Sequence, residues 1–183
     1  MNLTNATALI TGGSSGIGLA IAKALVDAGS KVAITGRDRA RVTAAAKAIN
    51  AHAIAADVSS EEDVTRTYRE FFEKFGHLDI LVNSAGFGLR APLVEMSRAR
   101  FDAVFQTNVT GTMLMSREAA RHFIERKSGN IINLGSTAAL RGAPNGTAYY
   151  ASKFAVRGMT ECWRTELRQH NIRVFLVNPS EVL

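Results

Sequence analysis

The chain has 183 residues, of which 46% are hydrophobic and 21% charged, a balance typical of one globular domain with its own core. The net charge of +6 comes from basic residues that are scattered without a Lys/Arg run, which argues against nucleic-acid binding. We expect no membrane span, which needs roughly 18 consecutive apolar residues. We also expect no metal site, because the histidines stand far apart from one another and none has a cysteine or carboxylate at metal-ligand spacing.

The first residues and the cysteine content indicate a compartment. Met1-Asn2-Leu3-Thr4 shows neither the basic nor the apolar segment of a secretory signal. The single cysteine, Cys162, excludes an intrachain disulfide. We therefore expect a cytoplasmic protein. Cys162 has no evident basic partner, so we expect it to pack in a core or an interface and not to act as a nucleophile.

Strand and helix patterns alternate along the whole sequence. Apolar, β-rich runs predict six strands, at residues 6–11, 31–35, 51–55, 78–82, 130–134 and 172–177. Helical patterns lie between them, at residues 16–28, 39–49, 59–75, 97–126 and 148–170, and Gly29 and Gly76 are stop signals. Because the strands are apolar on both faces, we expect an α/β fold. Its form is a Rossmann-type doubly wound parallel sheet flanked by helices, in a single domain over residues 1–183.

A glycine-rich turn follows the first predicted strand and leads directly into a helix. It reads Thr11-Gly12-Gly13-Ser14-Ser15-Gly16-Ile17-Gly18, a Gly-x-x-x-Gly-x-Gly spacing that departs from the Gly-x-Gly-x-x-Gly fingerprint. Glycines accept positive φ and permit close backbone approach, and a helix N-terminus offers N–H groups to a phosphate. The alternative is a turn used only for packing. Its position after the first strand of an α/β chain favours dinucleotide binding.

The end of the second predicted strand carries the residues that distinguish the two nicotinamide dinucleotides. NAD sites commonly place Asp or Glu there for the ribose 2′-hydroxyl, whereas the 2′-phosphate of NADP prefers a cation. Here Gly36 leaves the acidic position empty and Arg37 follows at once. A guanidinium matches a phosphate with two parallel hydrogen bonds, so we predict NADP(H) over NAD(H). The alternative is that Arg37 is a solvated loop charge, partly neutralised by Asp38.

Tyr149 and Lys153 are four residues apart in the last predicted helix and therefore share one face. A free tyrosine titrates near pH 10, and a nearby ammonium favours the phenolate, as acid–base catalysis near neutral pH requires. Tyr150 has Phe154 at the same spacing and lacks this help. Such a pair is common on helix surfaces, so it becomes specific only in the company of other motifs.

Those other motifs are present, in an order that closely resembles the short-chain dehydrogenase/reductase family over nearly the whole chain. They are the glycine turn, Asp57-Val58, Asn83-Ser84-Ala85-Gly86, Asn108, Ser136 thirteen positions before Tyr149, and Asn178-Pro179. Within the family, the chain is similar to 3-oxoacyl-carrier-protein reductase-like members. The resemblance implies hydride transfer between NADP(H) and a ketone or secondary alcohol, with a β-ketoacyl thioester or a broad range of carbonyls as substrate.

The resemblance also implies a role for each matching residue. Tyr149 would protonate the carbonyl oxygen, Ser136 would hold that oxygen, and Lys153 would lower the phenol pKa and bind the nicotinamide ribose. Ser136 and Tyr149 are thus the expected substrate contacts. Asn108 would fix a water of the proton relay. The implied cofactor-binding residues are Gly12, Ser14, Ser15, Gly16, Ile17, Gly18, Arg37, Asp57, Val58, Asn83, Ala85, Gly86, Tyr149, Lys153, Pro179 and Val182.

Some of these polar residues have structural alternatives. Taken alone, Asp57 also suits a cap at the end of a strand, and Ser136 and Asn108 suit polar positions in a turn or a helix. Taken together, the matching residues favour chemistry. Around Asn108 the residues 109–112, Val-Thr-Gly-Thr, are poor helix formers. We therefore predict a local kink in the long helix, which would free a backbone carbonyl for the relay water.

The sequence departs from the family pattern in three places. Ser84 replaces the second Asn of Asn-Asn-Ala-Gly and reaches less far, and Ser180 replaces the Gly of Pro-Gly and restricts the loop. After Leu183 relatives continue with a substrate lid, a helix and a last strand. On a chain that lacks them we expect the sixth strand to be an exposed edge, and cofactor binding and turnover to be weak.

Apolar residues on more than one face of the last helix predict two packing partners. In the family this helix and the preceding long helix pair across subunits, which implies a homodimer or homotetramer. Residues 87–89 and 140–142 are expected to border a moderately apolar substrate. Two other functions stay open: a catalytically inactive NADP(H)-binding regulatory protein, which the complete Asn108, Ser136, Tyr149 and Lys153 set disfavours, and a scaffold fragment.

Overall fold

The fold is a six-stranded parallel sheet, as seen in a computed structural model that describes residues 2–180. Within these residues the strands are β1 (Thr7–Thr11), β2 (Lys31–Gly36), β3 (His52–Ala55), β4 (Ile80–Asn83), β5 (Gly129–Leu134) and β6 (Ile172–Val177). Their spatial order is β3-β2-β1-β4-β5-β6, and every pair is parallel. The strands β2 and β3 are added on one side of β1, and the strands β4, β5 and β6 on its other side, so the order of the strands reverses between β1 and β4. Ligands of such sheets bind at that switch point, beyond the carboxyl ends of the strands.

Helices cover both faces of the sheet. They are α1 (Gly16–Asp27), α2 (Arg39–Ala48), α3 (Glu61–Phe75), α4 (Arg98–Phe105), α5 (Thr112–Arg126) and α6 (Thr147–Leu167). One buried cluster joins the sheet to α1 and α2, through residues such as Ala22 and Val42. The other joins it to α3, α5 and α6, through Phe71, Phe123 and Leu167. The predicted doubly wound parallel sheet flanked by helices, in one domain, is therefore confirmed.

Local signals in the sequence set several helix ends. The Ser60 side chain caps α3 by accepting a hydrogen bond from Asp63 N at 3.2 Å. Gly76 and Gly29 follow α3 and α1 with φ of +78° and +86°, so both predicted glycine stops are confirmed. The observed strands and helices differ from the predicted ones mostly by one or two residues at an end. Short 3₁₀ turns that we did not predict occupy Leu93–Glu95, Thr137–Ala139 and Arg168–His170.

Apolar side chains differ in how far the fold buries them. Phe71 is fully buried, and Phe72 and Phe75 pack against the same cluster. Cys162 is exposed in this chain, which excludes the core alternative and leaves packing in an interface a prediction. The buried residues of α6 include Val156, Thr160 and Leu167, and Cys162 is not among them. At the end of the described sheet, Phe175 and Val177 of β6 are nearly half exposed.

Residues 2–180 contain neither a candidate membrane span nor a metal-binding cluster. None of their helices combines the length and the apolar content needed to cross a bilayer. In the same part of the chain, no three His, Cys, Asp or Glu side chains are grouped so that they could hold a metal ion.

Candidate active site

A cavity of about 710 Å³ opens beyond the carboxyl ends of the strands. It is lined by most of the residues predicted to bind cofactor, namely Gly12, Ser14, Ser15, Gly16, Ile17, Gly18, Arg37, Asp57, Val58, Ala85, Gly86, Tyr149, Lys153 and Pro179, and by Ser136. Asn83 and Asn108 are buried one layer behind this lining. Val182 lies outside the described residues. The fold thus brings together segments that are far apart in sequence.

The glycine turn serves both packing and access to the cavity. A Cβ on Gly12 would lie 2.8 Å from Ala85 Cα, and one on Gly18 would lie 2.5 Å from Gly12 O, so these two positions exclude a side chain. Gly16 has φ +54° and no neighbouring atom within 4 Å of an added Cβ. Its open side and its positive φ leave the backbone accessible to a ligand.

The first turn of α1 fits an anion. The cap residue Ser15 makes no side-chain cap hydrogen bond, and the first turn contains no acidic residue. The N–H groups at a helix start need external acceptors, and the helix dipole favours negative charge there. Since Ser15, Gly16 and Ile17 line the cavity, the pyrophosphate of a dinucleotide fits this end of it.

Hydrogen bonds from β1 fix the segment after β4. The Thr11 hydroxyl accepts hydrogen bonds from Ser84 N and Ala85 N, both at 3.0 Å. Both bonds come from backbone N–H groups, so neither depends on the side chain of residue 84. The serine that replaces asparagine there therefore still leaves the segment tied to β1.

Asn83 belongs to a buried polar ladder and does not line the cavity. Its Nδ2 donates to Ser116 Oγ at 2.8 Å and to Asn133 Oδ1 at 2.9 Å, and Asn133 Nδ2 donates to Thr160 Oγ1 at 2.9 Å. The ladder ties β4 and β5 to α5 and α6. In the structure the Asn83 side chain thus holds the sheet together behind the site, and its contact with a cofactor stays a prediction.

Two arginines lie at the end of the cavity beside β2. Arg37 and Arg41 both line it, and neither takes part in an ion pair within residues 2–180. Asp38 caps α2, with Oδ1 accepting from Arg41 N at 3.0 Å. A Cβ on Gly36 would lie 3.2 Å from Ser14 Oγ, which leaves little room for an acidic side chain. We did not predict Arg41; a second cation four residues after Arg37 was the available signal.

Asp57 combines a structural role with a place on the cavity. Its Oδ1 accepts hydrogen bonds from Ser59 N at 2.9 Å and from Ser59 Oγ at 2.7 Å. This is the capping role that we gave as the alternative. Because Asp57 and Val58 also line the cavity, the cap does not remove them from the candidate adenine site.

Tyr149 and Lys153 share a face of α6, as their spacing predicts. Lys153 Nζ lies 5.7 Å from the centroid of the Tyr149 ring and donates a hydrogen bond to Leu134 O at 2.7 Å. An ammonium has three donors, so two remain for a ligand or a neighbour. Burial lowers the pKa of Lys153 to about 8. The lysine is still mostly protonated at pH 7, but it titrates within reach of physiological pH.

Ser136 lies at the start of the loop that follows β5. Its backbone N donates to Asn178 Oδ1 at 3.1 Å, and its hydroxyl oxygen accepts from Ala138 N at 3.1 Å. A hydroxyl that accepts from the backbone keeps its own proton for another acceptor. Ser136 therefore has both its turn role, which we gave as the alternative, and a donor available at the cavity wall.

Asn108 lies in a widened helical turn. Between α4 and α5, residues Gln106–Gly111 form a π-helix, so the predicted departure from α-helical geometry occurs at the predicted place. Asn108 is buried: its Oδ1 accepts from Phe87 N, and its Nδ2 donates to Phe87 O and to Ser152 Oγ, all at 3.0 Å. Its backbone O accepts from Thr112 Oγ1 at 2.9 Å. The side chain thus positions its neighbours, and the water relay stays a prediction.

A second cavity of about 540 Å³ adjoins the first. Gly88, Ser136, Tyr149 and Ser180 line both. Of the segments expected to border a substrate, Gly88, Leu89 and Arg141 line the second cavity, whereas Leu140 is exposed. The remaining lining combines hydroxyl groups and Arg90 with apolar surface from Ala138 and the rings of Tyr149 and Tyr150, so a moderately apolar substrate stays a prediction.

Comparison with known proteins identifies the family. Residues 6–183 match the family described as short chain dehydrogenase. The chain is 40% identical over 185 residues to a sorbitol dehydrogenase from Cereibacter sphaeroides, covering 100% of this chain and 72% of that protein.

Solved structures agree with the sequence comparison. A 3-ketoacyl-(acyl-carrier-protein) reductase from Brucella melitensis, complexed with NADH, superposes with a TM-score of 0.94 at 38% identity, over 97% of this chain and 76% of that one. An NAD⁺-bound xylitol dehydrogenase superposes with a TM-score of 0.95 at 32% identity, over 98% and 72% of the respective chains. The chain belongs to the short-chain dehydrogenase family of oxidoreductases.

Proposed function

We propose that the protein is an NADP(H)-dependent oxidoreductase that interconverts a ketone and a secondary alcohol, with Tyr149 as the acid and base. The observation that carries the proposal is the position of Tyr149 and Ser136 on the shared wall of two cavities. The larger cavity has the glycine turn and the helix start that suit a dinucleotide, and the smaller one has room for a substrate. A group on the shared wall can reach the reacting atoms of both ligands.

The proposed roles follow from the side chains at this wall. When bound, the nicotinamide supplies or accepts the hydride at the carbonyl carbon. During reduction, the Tyr149 hydroxyl gives its proton to the carbonyl oxygen as the carbon–oxygen double bond becomes a single bond; during oxidation the phenolate takes that proton back. The Ser136 hydroxyl donates to the same oxygen and stabilises its developing charge. The Lys153 ammonium stabilises the phenolate through its positive charge.

The NADP(H) preference rests on the two arginines beside β2. Arg37 and Arg41 offer guanidinium groups without carboxylate partners among residues 2–180, and Gly36 leaves no acidic group for a ribose 2′-hydroxyl. The negative charge of a 2′-phosphate is complementary to this pair of cations, whereas a 2′-hydroxyl is neutral and gains no such charge pairing. Two structural relatives hold NADH or NAD⁺, so the preference is a property proposed for this chain and its own arginines.

Assembly and location complete the proposal. Phe154 of α6 is 44% exposed, on a helix that also packs on the sheet, which supports a homodimer or homotetramer formed through this face. The exposed thiol of Cys162 suits a reducing, cytoplasmic compartment.

Replacement of Tyr149 by Phe tests the proposal. The variant keeps the ring and loses the hydroxyl, so we expect NADPH-dependent ketone reduction to fall by about three orders of magnitude, which is within the range that positioned acid–base groups contribute. NADPH binding, measured by fluorescence titration, is expected to change less than about threefold.

The matched control is Tyr150→Phe, which removes the neighbouring hydroxyl and leaves Tyr149 in place. We expect this variant to retain measurable turnover. Full activity of Tyr149→Phe would contradict the mechanism, and loss of NADPH binding in that variant would mean that the residue serves the cofactor alone.

A further inference from the structure

The substrate-side cavity is built between two loops that hold each other. One loop follows β4 and the other follows β5, and Ala91 N donates to Asn145 O across them at 2.9 Å. A Cβ on Gly88 would lie 3.4 Å from the Tyr149 ring, and one on Gly146 would lie 2.4 Å from the Tyr150 ring. Because both loops pack directly on these tyrosines, side chains that they carry have a defined position relative to Tyr149.

Each loop places one arginine on this cavity. Arg90 comes from the loop after β4 and Arg141 from the loop after β5. Among the described residues that line the cavity there is no Asp or Glu, and across residues 2–180 neither arginine takes part in an ion pair. Other exposed arginines do pair with acids, among them Arg98, Arg121 and Arg157.

Most of the other side chains that line the cavity carry a hydroxyl. They are Ser136, Thr137, Tyr149, Tyr150 and Ser180, beside the apolar Leu89 and Ala138. Hydroxyl groups donate and accept hydrogen bonds, so they suit a substrate that carries several hydroxyls of its own. The cavity therefore offers positive charge from two loops together with neutral polar groups.

We propose that this cavity selects substrates that carry an anionic end, a carboxylate or a phosphate, on a hydroxylated chain. Arg90 and Arg141 bind the anionic end while the reacting carbon lies at Tyr149. Two like charges on one cavity repel each other, and an anion between them relieves that repulsion. A planar guanidinium also matches both anions with paired hydrogen bonds. The inference rests on the proposed function, since it assigns the substrate of that same site.

Three related probes test it: sorbitol, gluconate and sorbitol 6-phosphate. They share a six-carbon hydroxylated chain and differ in the charge at one end. Each is titrated by calorimetry into the full chain that carries Tyr149→Phe and is saturated with NADP⁺, so that the cofactor cavity is filled and the probes are not oxidised during the titration. Reduction of NADP⁺ by each probe is measured separately with the unsubstituted protein. We expect at least one anion to bind about tenfold or more tightly than sorbitol, and the tighter anion identifies the preferred group. The preference is expected to decrease with added salt, because both arginines are exposed.

Variants assign the preference to residues. Arg90→Gln and Arg141→Gln are each expected to weaken anion binding by about threefold to tenfold, and the double variant to bind all three probes alike. Arg90→Lys keeps the charge without the paired hydrogen bonds and is expected to retain part of the preference. Arg98→Gln is the matched control, since Arg98 lies outside the cavity and pairs with Asp102, and it is expected to keep the full preference.

The outcomes separate the two proposals. Equal affinity for the three probes, or a preference that survives the double substitution, overturns the anion site. Oxidation of sorbitol with no advantage for either anion leaves the proposed function standing and also overturns the site. Arginine-dependent anion binding without any reduction of NADP⁺ supports the site and contradicts the proposed function.

Discussion

At the scale of the residue, Lys153 shows how the site uses burial. The side chain is 8% exposed, and its Nζ has a backbone carbonyl as partner and no carboxylate among the described residues. Removal from water penalises the charged form, which is why the pKa falls to about 8. The lysine thus carries a charge that is costly for folding, in a position where the proposed mechanism needs a cation close to the Tyr149 ring.

This cost predicts a pH-dependent stability difference. The folded pKa is about 8 and the unfolded value 10.5, so the unfolded chain binds more protons between them. The free energy of unfolding therefore increases as pH rises through this window. Below about pH 8, where Lys153 is charged in the folded protein, burial of that charge has its full destabilising effect. We expect the advantage of Lys153→Met over the wild type to decrease by about 2 kcal/mol between about pH 7 and about pH 9.5.

Urea unfolding at the two pH values measures this change. The difference between variant and wild type cancels the titration of all other groups and the pH-independent loss of the bond to Leu134 O. Lys47→Met is the control, because Lys47 is exposed on α2, and its difference from the wild type is expected to stay constant. A constant difference for Lys153→Met as well would show that the folded lysine is not penalised.

At the scale of the element, the π-helical turn at Gln106–Gly111 joins the loop after β4 to α6. Asn108 makes three hydrogen bonds, two to the backbone of Phe87 and one to Ser152, whose own hydroxyl donates to Tyr149 O at 2.7 Å. Gly88, next to Phe87, packs against the Tyr149 ring. The turn therefore holds the loop after β4 and α6 in one arrangement around Tyr149.

Asn108→Ala tests this positioning role. The substitution leaves the N–H and C=O of Phe87 without their partner, so we expect a loss of about 2 to 4 kcal/mol in the free energy of unfolding. We also expect kcat to fall more than KM rises, because Tyr149 loses its support while the substrate cavity remains. Denaturant unfolding and steady-state kinetics measure the two effects. Ser152→Ala removes one of the three Asn108 bonds, together with the bond from Ser152 to Tyr149 O, and leaves both Phe87 bonds in place. It serves as the comparison, and equal losses in the two variants would contradict the role.

The same elements show what the sequence could predict. Alternating apolar runs and the glycine stops predicted the sheet and its helices, because strand burial and helix termination depend on local composition. The family was predicted from the resemblance of its ordered motifs, among them Ser136 thirteen positions before Tyr149. Weak helix formers at 109–112 predicted a kink near Asn108. They did not predict its π-helical form, because that form depends on tertiary packing, such as the close approach of Gly111 to Val58. The exposure of Cys162 and the place of Arg41 on the cavity depend on which way a side chain points, and a linear pattern does not fix that.

At the scale of the whole molecule, the cofactor cavity couples distant parts of the chain. Its lining comes from the start of α1, the end of β2, the loops after β4 and β5, and α6. An unfolded chain has no such site. A dinucleotide that binds only the folded form therefore stabilises the whole domain, by an amount that depends on its concentration relative to the Kd.

This linkage gives a test of cofactor preference that needs no substrate. At about one hundred times the Kd, NADP⁺ is expected to add about 2.7 kcal/mol, which raises the Tm of a domain of this size by about 5 to 10 °C. NAD⁺ at the same concentration is expected to raise it less, because it has no 2′-phosphate for Arg37 and Arg41. Arg37→Asp reverses the charge beside the ribose and is expected to lose most of the NADP⁺ shift while the NAD⁺ shift stays or increases.

Arg39→Asp makes the same charge change two residues away, on a side chain that does not line the cavity, and is expected to keep most of the NADP⁺ shift. Thermal unfolding of the three proteins with each dinucleotide separates a contact of Arg37 from a general effect of charge. If both variants lose the NADP⁺ shift equally, the preference comes from the overall positive potential of this end of the molecule. If neither loses it, the 2′-phosphate is not held by Arg37. An NADP⁺ shift no larger than the NAD⁺ shift in the unsubstituted protein would contradict the NADP(H) assignment.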